Sequence, residues 1–184
     1  RERPQLFADL LRRLKKELVA KKDDFCAAVA SDFRGRATFE TNVAEVFPIA
    51  CQIRYVLKNL DEWMAVKPLE TSWVYWPARL ELRPQALGVV GIISPWNYPI
   101  ALCLLPLCDA IAAGNRVIIK PSEHVPKTSA LLQELVSSVF PSDVATVCCG
   151  QAEVAIALSK MPLDHLFFTG SVSVGKKVMA AAAQ

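Results

Sequence analysis

The sequence predicts an α/β fold in which N-terminal helices and a β-arm precede a parallel sheet. Three observations support this prediction. Apolar residues recur at helical spacing before residue 66, they alternate with polar residues from 72 to 82, and four apolar runs are separated by helix-like segments after residue 84. Each pattern is typical of the element that it predicts.

The N-terminal part is predicted to contain two or three helices. Pro48 interrupts the second of two helical patterns and cannot donate a backbone hydrogen bond, so a helix should be kinked or begin there. The two patterns consist of Leu6, Phe7, Leu10, Leu11, Leu14 and Leu18, and of Val43, Val46, Phe47, Ala50, Ile53, Leu57, Leu60 and Met64.

Residues 72–82 are predicted to form an extended hairpin or arm. Trp73 and Tyr75, and then Leu80 and Leu82, alternate with other residues at the period of a strand. An arm with exposed aromatic side chains usually contacts a partner, so we expect a binding surface here.

After Pro84 the chain is predicted to alternate strand and helix in a parallel sheet with right-handed crossovers. Helices are expected from Ile100 to Ala113, despite Pro106, and from Lys127 to Phe140. The expected strands are residues 88–93, 117–119, 144–147 and 166–168.

Polar or glycine-containing clusters follow all four predicted strands. These are Asn97, then residues 120–123, then 148–150, and finally 169–171 with Gly175. Because ligands bind beyond the carboxyl ends of parallel strands, these clusters predict one elongated cleft.

Asn97 has a structural and a catalytic interpretation. Capping the helix that follows is the more common role for such a residue. Pro95 and Pro99 stiffen the turn on both sides, however, which suits a side chain held at a fixed angle to donate to an oxyanion.

Lys120 and Glu123 also have two interpretations each. Lys120 could be a solvated surface lysine or could face the adenosine ribose of a dinucleotide. Glu123 could accept from a ribose hydroxyl or cap the next helix. The pair is more specific evidence for a nucleotide than either residue alone.

Gly170 and Ser171 precede the last predicted helix and could bind a pyrophosphate through free backbone N–H groups. The alternative is an ordinary serine cap. The first strand is not followed by Gly-x-Gly-x-x-Gly and the second does not end in Asp, so dinucleotide binding should differ from the standard mode.

Composition excludes several classes of protein. The net charge of +3 is spread over mixed-sign stretches, so no basic face indicates nucleic-acid binding. No apolar run is long enough to span a membrane and the start is not a signal peptide, which predicts a cytoplasmic location.

The hydrophobic fraction of 53% predicts apolar surface that faces a partner or further chain. Arg1 and the alanine run before Gln184 are expected to be cuts in a longer polypeptide.

The six cysteines lie in apolar segments without zinc-ligand spacing, so no metal site is expected. They are predicted to be reduced core residues. A reactive thiol at Cys148 or Cys149 is the alternative, because this pair ends a strand at the predicted cleft.

Together, these segments resemble the aldehyde dehydrogenase superfamily. The motifs are Ser-Pro-Trp-Asn-Tyr-Pro at 94–99, Ala-Gly-Asn at 113–115, Lys-Pro-Ser-Glu at 120–123, and Phe-Thr-Gly-Ser at 168–171 with Gly175. Residues 120–132 and 162–180 look closest to bacterial coniferyl aldehyde dehydrogenases, relatives of the class 3 enzymes. The resemblance implies an N-terminal helical segment at 1–71, a β-arm of the oligomerisation region at 72–84, and a truncated, Rossmann-like NAD(P)-binding domain at 85–184.

The resemblance also implies roles for individual residues. In such enzymes a cysteine thiolate attacks the aldehyde, hydride passes to the nicotinamide, and a glutamate activates water. Asn97 would donate to the thiohemiacetal oxyanion. The implied cofactor contacts are Ile93 and Trp96 in the cofactor channel, Lys120 and Glu123 at the ribose, Ser171 at the pyrophosphate, Val174 against adenine, and Gly170 and Gly175 through the family's glycine spacing. The family's nucleophile and general base would lie beyond Gln184, and none of the cysteines present matches the nucleophile's motif.

The function that follows is oxidation of an aldehyde, coniferyl or another aromatic aldehyde, to its carboxylic acid. The cofactor would be NAD, with NADP possible, and the protein a homodimer or higher homo-oligomer. Two alternatives stay open: a non-catalytic nucleotide-binding or assembly module, and an acyl-CoA or acyl-phosphate reductase of the same superfamily.

Overall fold

A computed structural model describes residues 2–184, with side chains from residue 5 onwards. Arg1, one of the expected cuts, lies outside the described residues. The chain begins with α1 (Glu2–Ala20) and α2 (Lys22–Asp32), followed by α3 (Thr38–Thr41), a π-helical turn (Asn42–Val46) and α4 (Phe47–Met64). The last three segments are continuous, because the residues at their junctions keep helical backbone angles.

Pro48 lies in the first turn of α4, directly after the π-helical turn, so the α-helical hydrogen-bond pattern of α4 starts at the proline although the helical backbone continues from Thr38. A proline is tolerated there because the hydrogen-bond pattern changes at the π-helical turn, where an N–H without a helical partner is accommodated. The π-helical turn just before it changes the phase of the apolar pattern. Val43 and Phe47 are therefore exposed, while Val46, Ile49 and Ile53 are buried.

The arm differs from the prediction. Its strands are β1 (Lys67–Leu69) and β2 (Leu80–Leu82), which pair antiparallel, so the hairpin begins before residue 72. Trp73–Tyr75 form a 3₁₀ turn instead of a strand. The alternation of aromatic residues was misleading because these side chains bury no common face. Local bonds such as Tyr75 N–H to the Ser72 carbonyl, at 2.9 Å, decide the conformation instead.

The parallel sheet is confirmed. Its strands are β3 (Val89–Ile93), β4 (Arg116–Lys120), β5 (Ala145–Val147) and β6 (His165–Phe168), in the order β5-β4-β3-β6. All three pairings are parallel. The helices are α5 (Ala101–Ala112), α6 (Pro126–Val139), α7 (Ala152–Ser159) and α8 (Val172–Ala182).

The N-terminal helices pack onto this sheet layer. Helix α1 contacts α4, α5 and α6, and α2 contacts α6. One continuous core of buried side chains therefore extends from α1 and α4 to β3 and β4, including Leu14, Ile53, Ile92, Leu104 and Ile119. This packing brings the loop between α2 and α3 to the carboxyl ends of the strands.

Within residues 2–184, no helix combines the length and the apolar character that crossing a membrane requires. The division of the chain at residues 71 and 84 stays a prediction.

Candidate functional site

The four strands end at the same edge of the sheet. Ser94 N–H donates to the Lys120 carbonyl at 3.2 Å, and Thr169 N–H donates to the Ile93 carbonyl at 3.0 Å. On the other side of β4, Cys148 N–H donates to the Ile119 carbonyl at 2.8 Å. The polar clusters that follow the strands therefore lie side by side, as predicted.

The structure has two separate cavities along this edge instead of the one elongated cleft that was predicted, and neither is lined by residues 169–171 or Gly175. One, of about 180 Å³, is lined by residues that follow β4 and β5, including Glu123 and Cys149. The other, of about 440 Å³, is lined by Asn97 and Tyr98 after β3 and by residues 33–36 of the α2–α3 loop. A cavity of about 450 Å³ between β6 and α8 is lined by none of Asn97, Lys120 and Glu123, so we do not assign the site to it.

Asn97 does not cap the helix that follows it. Helix α5 begins at Ala101, and its first N–H groups, of Ile100 and Ala101, donate to Oε2 of Glu45 at 2.7 and 3.1 Å. Among the residues that the structure describes, none forms a hydrogen bond with the exposed Asn97 carboxamide. Because Glu45 takes over the capping role, the amide of Asn97 is available to a ligand.

Glu45 is fully buried at the start of α5. Burial raises the pKa of this carboxyl group above its ordinary value. The hydrogen bonds from the Ala101 and Ile100 N–H groups and the charge of Arg36 oppose that rise but do not cancel it. The Glu45 carboxylate thus accepts hydrogen bonds from the start of α5 and also lies beside Arg36.

Arg36 connects Glu45 to the turn that carries Asn97. Its Nη1 donates to the Asn97 carbonyl at 2.7 Å and lies 3.4 Å from Oε1 of Glu45. Gly35, with φ of 121°, allows the preceding loop to turn Arg36 inward, because a side chain at that position would be strained.

Lys120 is buried, with 2% of its surface exposed, so the interpretation as a solvated surface lysine is wrong. Its Nζ donates to Oε2 of Glu123. Partial burial alone would raise the pKa of Glu123, but the hydrogen bond from Lys120 and the positive charge nearby outweigh burial and lower it. The pair therefore presents an ionised carboxylate at the smaller cavity.

Glu123 does not cap the next helix either. The first N–H groups of α6, on Lys127 and Thr128, donate to the Asp32 carboxylate at 3.3 and 2.9 Å. The Thr128 hydroxyl donates to the same carboxylate at 2.8 Å. Asp32, at the end of α2, thus caps α6 in the way that Glu45 caps α5. Glu123 is not needed as a cap and faces the cavity.

Ser171 is the N-cap of α8, because its Oγ accepts from the Val174 N–H at 3.4 Å. The predicted serine cap is thus present. Gly170 and Gly175 contact the Phe168 ring closely, since a Cβ on either would lie within 2.5 and 3.3 Å of it. The remaining candidates differ in exposure: Ile93 is buried, whereas Trp96 and Val174 are exposed.

The cysteines are only partly core residues. Cys26, Cys103 and Cys108 are buried as predicted, but Cys51 and Cys148 are half-buried and Cys149 is exposed. Burial raises the pKa of Cys103 to about 12, and it also raises the pKa of Cys108. The prediction is wrong for Cys149 because β5 ends before it and its side chain lines the smaller cavity. Within residues 2–184, no cluster of three or more His, Cys, Asp or Glu residues could hold a metal ion.

Three residues that organise this edge were not identified from the sequence: Asp32, Arg36 and Glu45. For Glu45 a signal existed. It precedes the buried Ile49 and Ile53 at four-residue spacing, which places a carboxylate on the buried face of a helix. Asp32 and Arg36 lie near a helix end, where polar residues are ordinary.

Comparisons with known proteins identify the family of this chain. Residues 3–184 match the model of the aldehyde dehydrogenase family. A probable coniferyl aldehyde dehydrogenase of Pseudomonas aeruginosa is 43% identical over 95% of this chain and 37% of its own length. The substrate-bound structure of Staphylococcus aureus AldH superposes with a TM-score of 0.94 at 32% identity, over 97% of this chain and 39% of that one.

A Mycobacterium tuberculosis aldehyde dehydrogenase complexed with NAD⁺ has a TM-score of 0.86 at 27% identity, over 98% of this chain and 37% of that chain. The chain thus spans less than two fifths of the length of these relatives. It belongs to the aldehyde dehydrogenase family, a family of oxidoreductases.

Proposed function

We propose that this chain is part of an NAD(P)-dependent enzyme that oxidises an aldehyde to its carboxylic acid. The observation that carries the proposal is the exposed carboxamide of Asn97 at the carboxyl end of β3. Glu45 caps the adjacent helix and Arg36 holds the backbone of Asn97, so this amide is free to bind a ligand at a defined place. The name of the Pseudomonas aeruginosa relative supports an aromatic aldehyde such as coniferyl aldehyde as the substrate class.

Asn97 would act on the charge that develops during the reaction. When a thiolate adds to the aldehyde carbonyl, the oxygen becomes an anion, and an amide N–H positioned beside it stabilises that anion. Because the thiolate and the water-activating carboxylate are expected outside this chain, Asn97 is the one catalytic group that we assign here.

The residues after β4 suit a nucleotide ribose. Glu123 places an ionised acceptor at the smaller cavity, and the buried Lys120 donates to that carboxylate from beneath it. A ribose hydroxyl would bond first to Glu123, and Lys120 would supply the neighbouring donor. When bound, the nicotinamide cofactor accepts the hydride. Ser171 and the start of α8 would bind the pyrophosphate, and Val174 would contact the adenine. Ile93, Trp96, Gly170 and Gly175 complete the proposed cofactor contacts.

We expect NAD to be preferred over NADP, since the Glu123 carboxylate would repel a 2′-phosphate. The hairpin and its turn expose Trp73 and Trp76 at 86% and 83% of their surface, which supports homodimer or higher assembly through this arm. A cytoplasmic location belongs to the same proposal.

The test replaces the carboxamide in the complete enzyme. Asn97→Ala should lower kcat by roughly a hundredfold or more, about 3 to 4 kcal/mol, because the donor acts mainly in the transition state. Cofactor affinity, measured by titration, should barely change. Asn59→Ala removes a half-buried asparagine of α4, whose side chain bonds only to the Tyr55 carbonyl of its own helix, and should leave kcat unchanged.

The opposite pattern would contradict the role assigned to Asn97. A large loss of cofactor binding with chemistry intact would mean that the residue maintains the structure of the cofactor site. If the kcat of Asn97→Ala equals that of the control Asn59→Ala, Asn97 is not an oxyanion donor.

A further inference from the structure

We propose that Arg36 is a positioning residue for Asn97, acting through the backbone of the turn that carries the carboxamide. The inference rests on the proposed function, because it concerns the geometry of the proposed oxyanion donor. Arg36 comes from the α2–α3 loop, 61 positions before Asn97 in the chain.

Arg36 contacts two consecutive residues of the turn. Its Nη1 donates to the Asn97 carbonyl at 2.7 Å, and its guanidinium carbon lies 4.5 Å from the centre of the Tyr98 ring. A charged donor forms a strong hydrogen bond, and a cation over an aromatic face adds an attraction of its own. Together, the two contacts fix the position and the direction of the peptide that bears the Asn97 side chain.

Arg36 is itself restrained by several neighbours at its Nη atoms and ring contacts, although its buried Nε has no hydrogen-bond partner among the described residues. Only 6% of its side chain is exposed. Its Nη2 lies 3.1 Å from the Glu40 carboxylate, its Nη1 lies 3.4 Å from Glu45, and its guanidinium covers the Phe33 ring at 5.0 Å. Since the planar guanidinium is rigid, such contacts restrain the group that bonds to Asn97.

Glu45 joins this restraint to the helix after the turn. The same carboxylate that faces Arg36 accepts the first N–H groups of α5 through its other oxygen. The turn is therefore anchored to Arg36 at Asn97 and to Glu45 where α5 begins.

The side chains of the turn need such support because they are partly exposed to solvent and the protein core does not enclose them. Trp96 and Tyr98 are 52% and 38% exposed, and Asn97 is exposed as well. A catalytic donor must be held within about 0.5 Å of its productive position, and a misplacement of about 1 Å can reduce the rate by up to a hundredfold. Loss of Arg36 should thus lower kcat because the Asn97 carboxamide is misplaced, and it should leave cofactor binding intact.

A double-mutant cycle in the complete enzyme tests this dependence. Arg36→Gln should lower kcat about tenfold with an unchanged dissociation constant for NAD. In the Asn97→Ala background the same substitution should lower kcat by less than about twofold, because the group that Arg36 positions is gone. Arg12→Gln, which removes an arginine from an exposed pair with Asp9, should leave kcat unchanged.

Arg36→Lys gives a second cycle if Arg36→Gln fails to fold. Lysine keeps the charge and can donate from its single ammonium nitrogen, but it loses the planar fork, so kcat should fall about threefold in the wild type and stay constant in the Asn97→Ala background. An equal fold-loss of kcat in both backgrounds would overturn the inference, as would weaker NAD binding with kcat unchanged. If Asn97→Ala alone leaves kcat unchanged, the proposed function fails first, and the inference fails with it.

Discussion

At the scale of single residues, the pair of Lys120 and Glu123 combines opposite preferences for the cofactor. Lys120 can donate to ribose hydroxyls or pair with a 2′-phosphate, whereas Glu123 accepts from a free 2′-hydroxyl and repels the phosphate. Lys120 is buried and Glu123 lines the cavity, so the carboxylate is the group that a nucleotide would meet.

Glu123→Gln in the complete enzyme should therefore raise kcat/KM for NADP relative to NAD. The substitution keeps the size of the side chain and removes the repulsion, and a change of about tenfold in the ratio is the expected order. Steady-state kinetics with both cofactors measure it. An unchanged ratio, or one that favours NAD further, would mean that Glu123 does not face the ribose.

The same carboxylate predicts a dependence of stability on pH. The lowered pKa of Glu123 means that the ionised form is favoured in the folded state. The contribution of the ionised carboxylate to the unfolding free energy is fully present above pH 4.5, the ordinary pKa of the group. It is lost as the pH falls through the lower pKa that the group has in the folded state. Wild type should exceed Glu123→Gln in unfolding free energy by roughly 1 kcal/mol at neutral pH, because a charged group forms the stronger hydrogen bond.

Denaturant unfolding between pH 7 and pH 3 checks this prediction. The difference between wild type and Glu123→Gln should shrink towards zero as the pH falls, since a protonated carboxyl group resembles the amide. Glu134→Gln, at an exposed site on α6, serves as the control substitution and should show only a small difference at neutral pH. A difference for Glu123→Gln that grows on acidification would contradict the assigned pairing.

At the scale of elements, the strands and their helices were predictable and the helix caps were not. The four strands are short apolar runs bounded by glycine, proline and polar residues, so local pattern sufficed to find them. Glu45 and Asp32 cap helices by accepting from the N–H groups of Ile100 and Thr128, which lie 55 and 96 positions away, and no local pattern carries that information. Because those caps cannot be seen in the sequence, it could not separate the capping role of Asn97 from a catalytic role, or the capping role of Glu123 from ribose binding.

Two glycines that bound elements allow a test of the fold. Gly114 ends α5 with φ of 85°, and a Cβ there would meet only ordinary contacts at 3.6 Å or more. Gly88 precedes β3 with φ of 135°, and a Cβ there would overlap the Asp164 carboxylate, which accepts from the Val89 N–H at 2.7 Å.

Gly114→Ala should cost roughly 1–2 kcal/mol, since it adds only the strain of a left-handed residue. Gly88→Ala should cost more than roughly 3 kcal/mol, because backbone strain is joined by the displaced Asp164 and the hydrogen bond that it accepts. Thermal or denaturant unfolding of the two variants gives the comparison. Equal losses would mean that the Asp164 contact contributes nothing to the start of β3.

At the scale of the whole molecule, much apolar surface is exposed. Besides the arm, Val172 and Met179 on α8 are 78% and 70% exposed, and β6 is an edge strand. The predicted excess of apolar surface is thus present, on the arm and beside β6. The family relatives extend over more than twice the length of this chain, and if the proposed complete enzyme has further chain, we expect it to pack on the β6 side.

The last prediction concerns a preparation that contains residues 1–184 alone. It should show no steady formation of NADH from an aldehyde, because Asn97 stabilises charge but cannot attack the carbonyl. No thiol within residues 2–184 is placed to substitute for the nucleophile. Burial raises the pKa of Cys103 to about 12, which leaves little thiolate, and Cys149 lines the cavity of Glu123 instead of that of Asn97.

Absorbance at the NADH band, with the complete enzyme assayed in parallel, measures this directly. Turnover by the 184-residue preparation that disappears in a Cys149→Ser variant would show that a cysteine of this chain is a working nucleophile. Our assignment of Asn97 as the one catalytic group of the chain would then be wrong.

If the 184-residue preparation shows no turnover, addition of NAD should still protect the Cys149 thiol from alkylation more than it protects the Cys51 thiol. The reason is that, of the two, only Cys149 lines the proposed ribose cavity.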